Sequence, residues 1–336
     1  MDINDFRIRD FFKGKNILVT GGNGYLGSNL INILKDIECR ITILDRIQNT
    51  KINKSCKAEI TEFISDLRSP GLWNEFIDKI DIIFYFAGQT SVYKANENPK
   101  EDFEINVLPI FNLLETCRLT KWNPSLIFSG TVTVTGIPEK LPVDEMTPDN
   151  PVTVYDLHKQ IAENYLKYYS NQGIIKNAIL RLANVYGPGP ISTSADRGIL
   201  NMMARKAINC EDLTLYGKGD FLRDYIFIDD VISSFLLAAV NINIMKGRHY
   251  LVASGVSHTV KEAFEMVIEN TLLITGKEVK LISVAPPLTL SLIESRNFVT
   301  NISSIKMVSG WSPKVSLKEG IIETIKFYYE KKHKSE

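Results

Sequence analysis

The chain has 336 residues, more than one hydrophobic core comfortably serves and enough for two closely packed lobes. Hydrophobic residues make up 44% and charged ones 23%, and 39 basic side chains balance 39 acidic ones, so no basic excess points to a nucleic acid or an anionic membrane. Scattered cysteines (Cys39, Cys56, Cys117, Cys210) and histidines (His158, His249, His258, His333) lack metal-ligand spacing, Met1–Phe12 is broken by Asp and Arg, and no apolar run reaches membrane length, so the expectation is a soluble cytoplasmic protein with reduced thiols and no metal.

The pattern from Lys15 onward predicts strands alternating with amphipathic helices. Strands are expected at Asn16–Thr20, Arg40–Asp45, Asp81–Ala87, Ser125–Ser129 and Asn177–Leu182, with a further short one before Asp66. Helices are expected at Tyr25–Lys35, at Pro99–Leu119 as one long element, and at Tyr155–Ser170. Such alternation implies βαβ units in a parallel, doubly wound sheet, whose strands are apolar throughout because both faces are covered. After Leu182 the rhythm breaks at the loop Tyr186–Pro190. The runs Tyr225–Ile228 and Tyr250–Val252 are expected to rejoin the first sheet, and the Lys-rich tail after Tyr329 to fray. The division that follows is residues 1–182 plus about 225–255 in one domain, and about 183–224 plus 256–336 in a smaller α/β lobe.

Gly21, Gly24 and Gly27 are spaced Gly-x-x-Gly-x-x-Gly where the first strand gives way to a helix. Glycine there allows a tight turn, a close approach of backbone to pyrophosphate and close helix-to-strand packing, while the helix amino terminus offers amides and a positive dipole end. Alone the pattern is only a turn; the strand before it, the helix after it and Asp45 at the next strand's end make it a dinucleotide site. A carboxylate at Asp45 would accept hydrogen bonds from both ribose hydroxyls and repel a 2′-phosphate, favouring NAD over NADP, with Arg46 partly softening that repulsion. Asp66 and Leu67 stand where an adenine ring is held.

Tyr155 and Lys159 are four apart, on one helix face. A free phenol near pKa 10 is a poor base, and a close ammonium lowers it by about 1–3 pH units. Upstream, Phe128–Gly136 is rich in hydroxyls directly after a strand ending at the same sheet edge, so one of them can hydrogen-bond a substrate oxygen and the phenol.

The glycine turn, Asp45, Phe86–Val92, Asn106, the hydroxyl segment, Tyr155/Lys159, Arg181–Pro188, Arg223–Asp230 and Trp311–Pro313 occur in an order that resembles the extended short-chain dehydrogenase/reductases of the NAD-dependent epimerase/dehydratase family, from about residue 15 to 330. The resemblance implies a Rossmann-type sheet with a smaller lobe that binds a nucleotide-diphosphate sugar, and a homodimer packed through the two long helices with Phe103, Phe111, Tyr165 and Tyr169. It implies Tyr155 as general acid/base, Lys159 as its modulator and a ribose ligand, and Thr131 as the orienting hydroxyl. Dinucleotide contacts are implied from Asn23, Tyr25 and Leu26, from Ala87, Gly88 and Gln89, and from Asn106. On the sugar-nucleotide side it implies Asn184, Asn201, Leu215, Arg223 and Arg296, the arginines suited to a diphosphate by their planar fork.

Within the family, the dehydratase resemblance wants Thr-Asp-Glu at Thr131–Thr133 and the decarboxylases a Glu at Thr133, so both readings weaken here. What is left is a 4-epimerase using NAD as a recycled cofactor, or a 4-ketoreductase with exchangeable NAD(P)H; a non-catalytic dinucleotide-binding regulator is a third reading, disfavoured by the intact Thr131–Tyr155–Lys159 set. Thr135 stands where many relatives have Tyr, which reshapes the sugar pocket.

Overall fold

The computed structural model describes residues 6–48, 56–190, 198–286 and 296–334. Its strands are β1 (Asn16–Thr20), β2 (Arg40–Asp45), β3 (Glu59–Ile64), β4 (Ile82–Tyr85), β5 (Ser125–Thr131), β6 (Lys176–Leu182), β7 (Asn184–Tyr186), β8 (Leu213–Tyr216), β9 (Leu222–Phe227), β10 (Arg248–Val252), β11 (Ser257–Thr259) and β12 (Leu281–Val284). Seven of them form the main sheet in the order β10-β6-β5-β4-β1-β2-β3, every neighbouring pair parallel. Central strands are buried along nearly their whole length, as a sheet covered by helices on both faces requires. One apolar cluster lies on each face, with the lobe beyond residue 183 continuing the larger of the two. Among the described residues no helix is long and apolar enough to cross a membrane.

The run Tyr250–Val252 does join the sheet, as β10 beside β6. Tyr225–Ile228 does not. It lies in β9, which pairs in parallel with β7 and antiparallel with β11 in a separate three-stranded sheet. With β10 already occupying the free edge of β6, β9 has no place there, and an apolar run alone cannot say which sheet will bury it. The long helix expected over Pro99–Leu119 is two, Pro99–Asn106 and Leu108–Thr120, parted at Val107. Pro109 has no N–H to donate and its ring crowds the carbonyl one turn back, so the first helix cannot run through it. At the other end, the tail holds its helix to His333, started by a Ser316/Glu319 capping box and finished by Lys331, Lys332 and His333 at the negative end of the dipole.

Two motif segments prove architectural. Arg181 is fully buried on β6 and forks onto Asp149 at 2.6 and 2.7 Å, while Glu163 accepts from it at 2.9 and 2.7 Å. Asp230 accepts the backbone N–H groups of Lys314 and Val315, and its carbonyl takes the Trp311 indole N–H at 3.0 Å, docking the Gly-Trp-Ser-Pro segment on the helix Ile228–Val240.

His249 on β10 lies beside the Arg181 cluster, and burial, with the guanidinium charge adding to it, holds its imidazole down at about 3. In the unfolded chain the ring takes a proton near pH 6.5, which the folded chain refuses until far lower, so this group costs stability as pH falls below 6.5. Replacing His249→Gln should flatten the decline in urea midpoint between pH 7 and 4.5. An unchanged slope would show that the imidazole is not the group responsible.

Candidate active site

β1 and β4 lie side by side, yet their connections leave toward opposite ends of the sheet, and this opens a crevice at their carboxyl ends. The glycine turn fills the floor of it. Gly21 has φ +66°, and a Cβ there would stand 2.9 Å from Ala87 Cα. A Cβ on Gly27 would stand 2.5 Å from Gly22 Cα, so the helix Tyr25–Leu34 packs on its own turn with no room for a side chain. Gly24 caps that helix without any side-chain bond, which leaves the first-turn amides around Tyr25 and Leu26 for a ligand.

Asp45 at the end of β2 latches this turn. One carboxylate oxygen accepts the Asn23 N–H at 3.0 Å, and the other accepts those of Arg46 at 2.7 Å and Ile47 at 3.3 Å. The Asn23 amide donates to Ile47 O at 2.6 Å and to Glu62. The Arg46 guanidinium turns away to Asp66, 4.0 Å off. Asp66 is also forked by Arg68, at 3.0 and 2.7 Å, which holds its carboxyl below the usual range; Leu67 packs on the core.

Across the crevice, Phe86 and Ala87 donate their N–H groups to Thr20 Oγ1. Gly88 sits flat on Asn106, whose amide donates to Gln89 O at 3.0 Å and to Asp102 at 2.9 Å. Gln89 also donates to Asp102, at 2.8 Å, and the other Asp102 oxygen lies 2.7 Å from His158 Nδ1. The Ala87–Gln89 segment is thereby strapped to the helix Val154–Asn171, which carries His158 between Tyr155 and Lys159.

Thr131 ends β5, and Tyr155 and Lys159 are buried on the first turns of that helix. Lys159 Nζ stands 4.2 Å over the Phe128 ring, and Tyr155 packs on Val92 and Ala95. Behind Thr131 runs a chain that the sequence reading missed. Thr131 Oγ1 is 2.7 Å from Thr133 Oγ1, Thr133 donates to Asp156, and Thr153 donates to the second Asp156 oxygen at 2.7 Å. The available signal was an acid three residues after a Thr cap, directly next to the tyrosine. Thr135 spends its hydroxyl on Val132 O, at 2.9 Å.

On the lobe side, Asn184 on β7 donates to Asp224 O at 3.3 Å. Arg223 and Arg296 are both buried and meet, Arg223 donating to the Arg296 carbonyl, while Arg296 reaches Gly136 O at 3.3 Å and stacks over Phe298. A guanidinium's planar fork suits a diphosphate, and both of these residues carry one. Asn201 lies on the helix Ile199–Ile208 and Leu215 on β8. Asn201 accepts from Gly187 N at 2.8 Å and donates to Tyr25 OH, whose phenol in turn donates to Gly187 O at 2.9 Å and is pushed far up by burial. Leu215 packs into the core against Gly219.

The model of the NAD-dependent epimerase/dehydratase family matches residues 17–253. The UDP-glucose 4-epimerase of Mycolicibacterium smegmatis is 29% identical over 321 residues, 94% of this chain and 98% of that protein. Among solved structures, the UDP-glucose 4-epimerase of Thermotoga maritima with UDP-glucose superposes with a TM-score of 0.82 at 26% identity, covering 94% of this chain and 99% of its own. The Thermus thermophilus UDP-glucose 4-epimerase in complex with NAD gives 0.79 at 28% identity, covering 93% and 98%. The glycine cradle, which a single Cβ would fill, fits such a dinucleotide. Gly27→Val should lower NAD affinity by at least about tenfold, the equivalent of about 1.4 kcal/mol, measured by calorimetry on protein whose circular dichroism is unchanged. Retained affinity would place the dinucleotide elsewhere.

Proposed function

The chain belongs to the NAD-dependent epimerase/dehydratase family, and from that premise we propose that this enzyme is a nucleotide-sugar 4-epimerase acting on an NDP-hexose of the UDP-glucose type. The observation that carries the reading is the end of β5. Thr131 stands there beside a helix that offers a phenol and an ammonium on one face, and Thr133 brings no carboxylate from the strand for water elimination or decarboxylation. NAD is favoured over NADP by Asp45 and by Arg46, whose guanidinium is directed to Asp66 rather than to a 2′-phosphate.

Bound NAD supplies the reversible oxidation at the sugar's C4. Around it the chain's own groups divide the work. Tyr155 takes the proton of the C4 hydroxyl and later returns it, and Lys159, one turn on, stabilises the phenolate by its charge. Thr131 orients the oxygen being deprotonated. Arg223 and Arg296 hold the diphosphate, about which the sugar turns to present its other face, and Asn184 borders the same anchor. Asn23, Gly24, Tyr25 and Leu26 line the pyrophosphate end, while Ala87, Gly88 and Gln89 with Asn106 shape the nicotinamide end.

A homodimer belongs to this proposal. Leu157, 43% exposed, and Tyr168, 61% exposed, accompany Phe103 and Tyr165 on the outer faces of the helices Pro99–Asn106 and Val154–Asn171, whereas Tyr169 is buried and bonded to Glu115. Tyr168→Glu is expected to halve the mass seen by sedimentation equilibrium; a monomeric parent protein would dismiss the dimer.

The deciding measurement is release of bound nucleotide on denaturation, followed by conversion of UDP-glucose without added cofactor. Near-stoichiometric NAD(H) and epimerised product are expected, and Tyr155→Phe should abolish turnover while keeping the dinucleotide. NADPH oxidation by a 4-keto-6-deoxy sugar nucleotide, with no bound cofactor, would overturn the reading in favour of a ketoreductase.

A further inference from the structure

A carboxylate does stand behind the reacting hydroxyl, delivered by the helix instead of the strand. Asp156 is wholly buried at the third position of the helix Val154–Asn171, where the amino-terminal dipole favours negative charge. Hydroxyl groups converge on both of its oxygens, Thr133 on Oδ1 and Thr153 on Oδ2. A carboxylate only accepts. Thr133 has a single hydroxyl hydrogen, and it is spent on Asp156. Between Thr131 and Thr133, 2.7 Å apart, Thr131 must therefore be the donor. With its hydrogen committed inward, Thr131 Oγ1 already receives the Thr133 N–H at 3.3 Å and has one more lone pair to offer.

We propose that Asp156, acting through Thr133, fixes Thr131 as a hydrogen-bond acceptor and so selects a sugar with a free hydroxyl at the reacting carbon over the corresponding ketone. A hydroxyl can donate to an oxygen held this way, but a carbonyl oxygen can only face it lone pair to lone pair. Asp156 is a positioning residue, two hydroxyls removed from the sugar. The inference rests on the epimerase reading and deepens it, because an epimerase takes up and releases hydroxyl sugars and keeps the ketone only in passing. A 4-ketoreductase would need the opposite polarity, a hydroxyl free to donate to an incoming ketone. An amide at residue 156 would undo the arrangement, since its nitrogen can donate to Thr133 and so release the hydrogens of Thr133 and Thr131 toward the site.

The test compares two probes that differ only at C4, UDP-6-deoxyglucose and UDP-4-keto-6-deoxyglucose, by calorimetry on Tyr155→Phe protein loaded with NAD, so that neither is turned over. The hydroxyl sugar should bind about tenfold tighter, the size expected for one hydrogen bond against a repelled acceptor. In the added Thr133→Val and Asp156→Asn variants the ratio should fall close to one, and in Thr133→Ser, which restores the hydroxyl, it should return. A ratio that survives both of the disrupting substitutions in folded protein overturns the proposal. A second measurement needs no ligand. In threonine-labelled protein the Thr131 hydroxyl proton should resonate downfield, move upfield in Thr133→Val and recover in Thr133→Ser; a resonance indifferent to Thr133 overturns the relay whatever binds. Failure of both sugars to bind while that resonance responds would overturn the sugar-nucleotide reading, and the selection with it, and would leave the relay itself established.

Discussion

Two parallel strands that send their connections in opposite directions leave a gap that no loop from either can close, and the proposed site of this protein is gathered around one such gap, between β1 and β4. Its width is set by backbone touching backbone. Gly21 lies so close to Ala87 that neither segment can move toward the other, and Thr20 bonds the start of the opposite segment with its side-chain oxygen. A side chain at Gly21 would force the strands apart and carry Asp45, Asn106 and the helix Val154–Asn171 out of register with one another. The apolar layers on each face stabilise the sheet, but this contact decides what the sheet can hold.

The helix Val154–Asn171 depends on that contact through polar bonds as much as through packing. Three buried acid groups fix it to three different neighbours. Asp102 reaches His158 from the helix Pro99–Asn106, Asp156 on the helix itself reaches the turn after β5, and Glu163 farther along meets Arg181 on β6. Burying so much charge is costly, and apolar replacements of similar volume would often be no less stable. Directional bonds do what apolar contacts cannot. They fix the rotation of the helix about its axis, and with it the direction in which Tyr155 and Lys159 point.

Much of this was legible in the residues. The glycine spacing, Asp45 and the Tyr155–Lys159 interval are local signals, each set by one turn or one helix face, and the alternation of elements predicted a parallel sheet that the structure contains. Signals that depend on distant partners were not legible. Nothing within Tyr225–Ile228 tells whether β6 still has an open edge, and that edge is filled by β10, which follows later in the chain. Pro109 could have been read as a break between two helices, since its effect is local; the apolar spacing across it concealed the break. Asp156 resembles an ordinary cap residue in the sequence, because the hydroxyl that gives it a role lies 23 positions away.

Tyr25 and the Gly187–Gly189 turn, more than 160 positions apart, give the molecule a history as well as a shape. A Cβ on Gly189 would stand 2.6 Å from the Tyr25 ring, and the phenol of that ring bonds the carbonyl of Gly187. Neither position is free to drift alone. A lineage that acquired a side chain at 189 would have to surrender the aromatic ring at 25, and one that first lost the ring would leave an unfilled hollow beside the turn. The geometry couples the two positions, and descendants of this protein should show them changing in step or not at all.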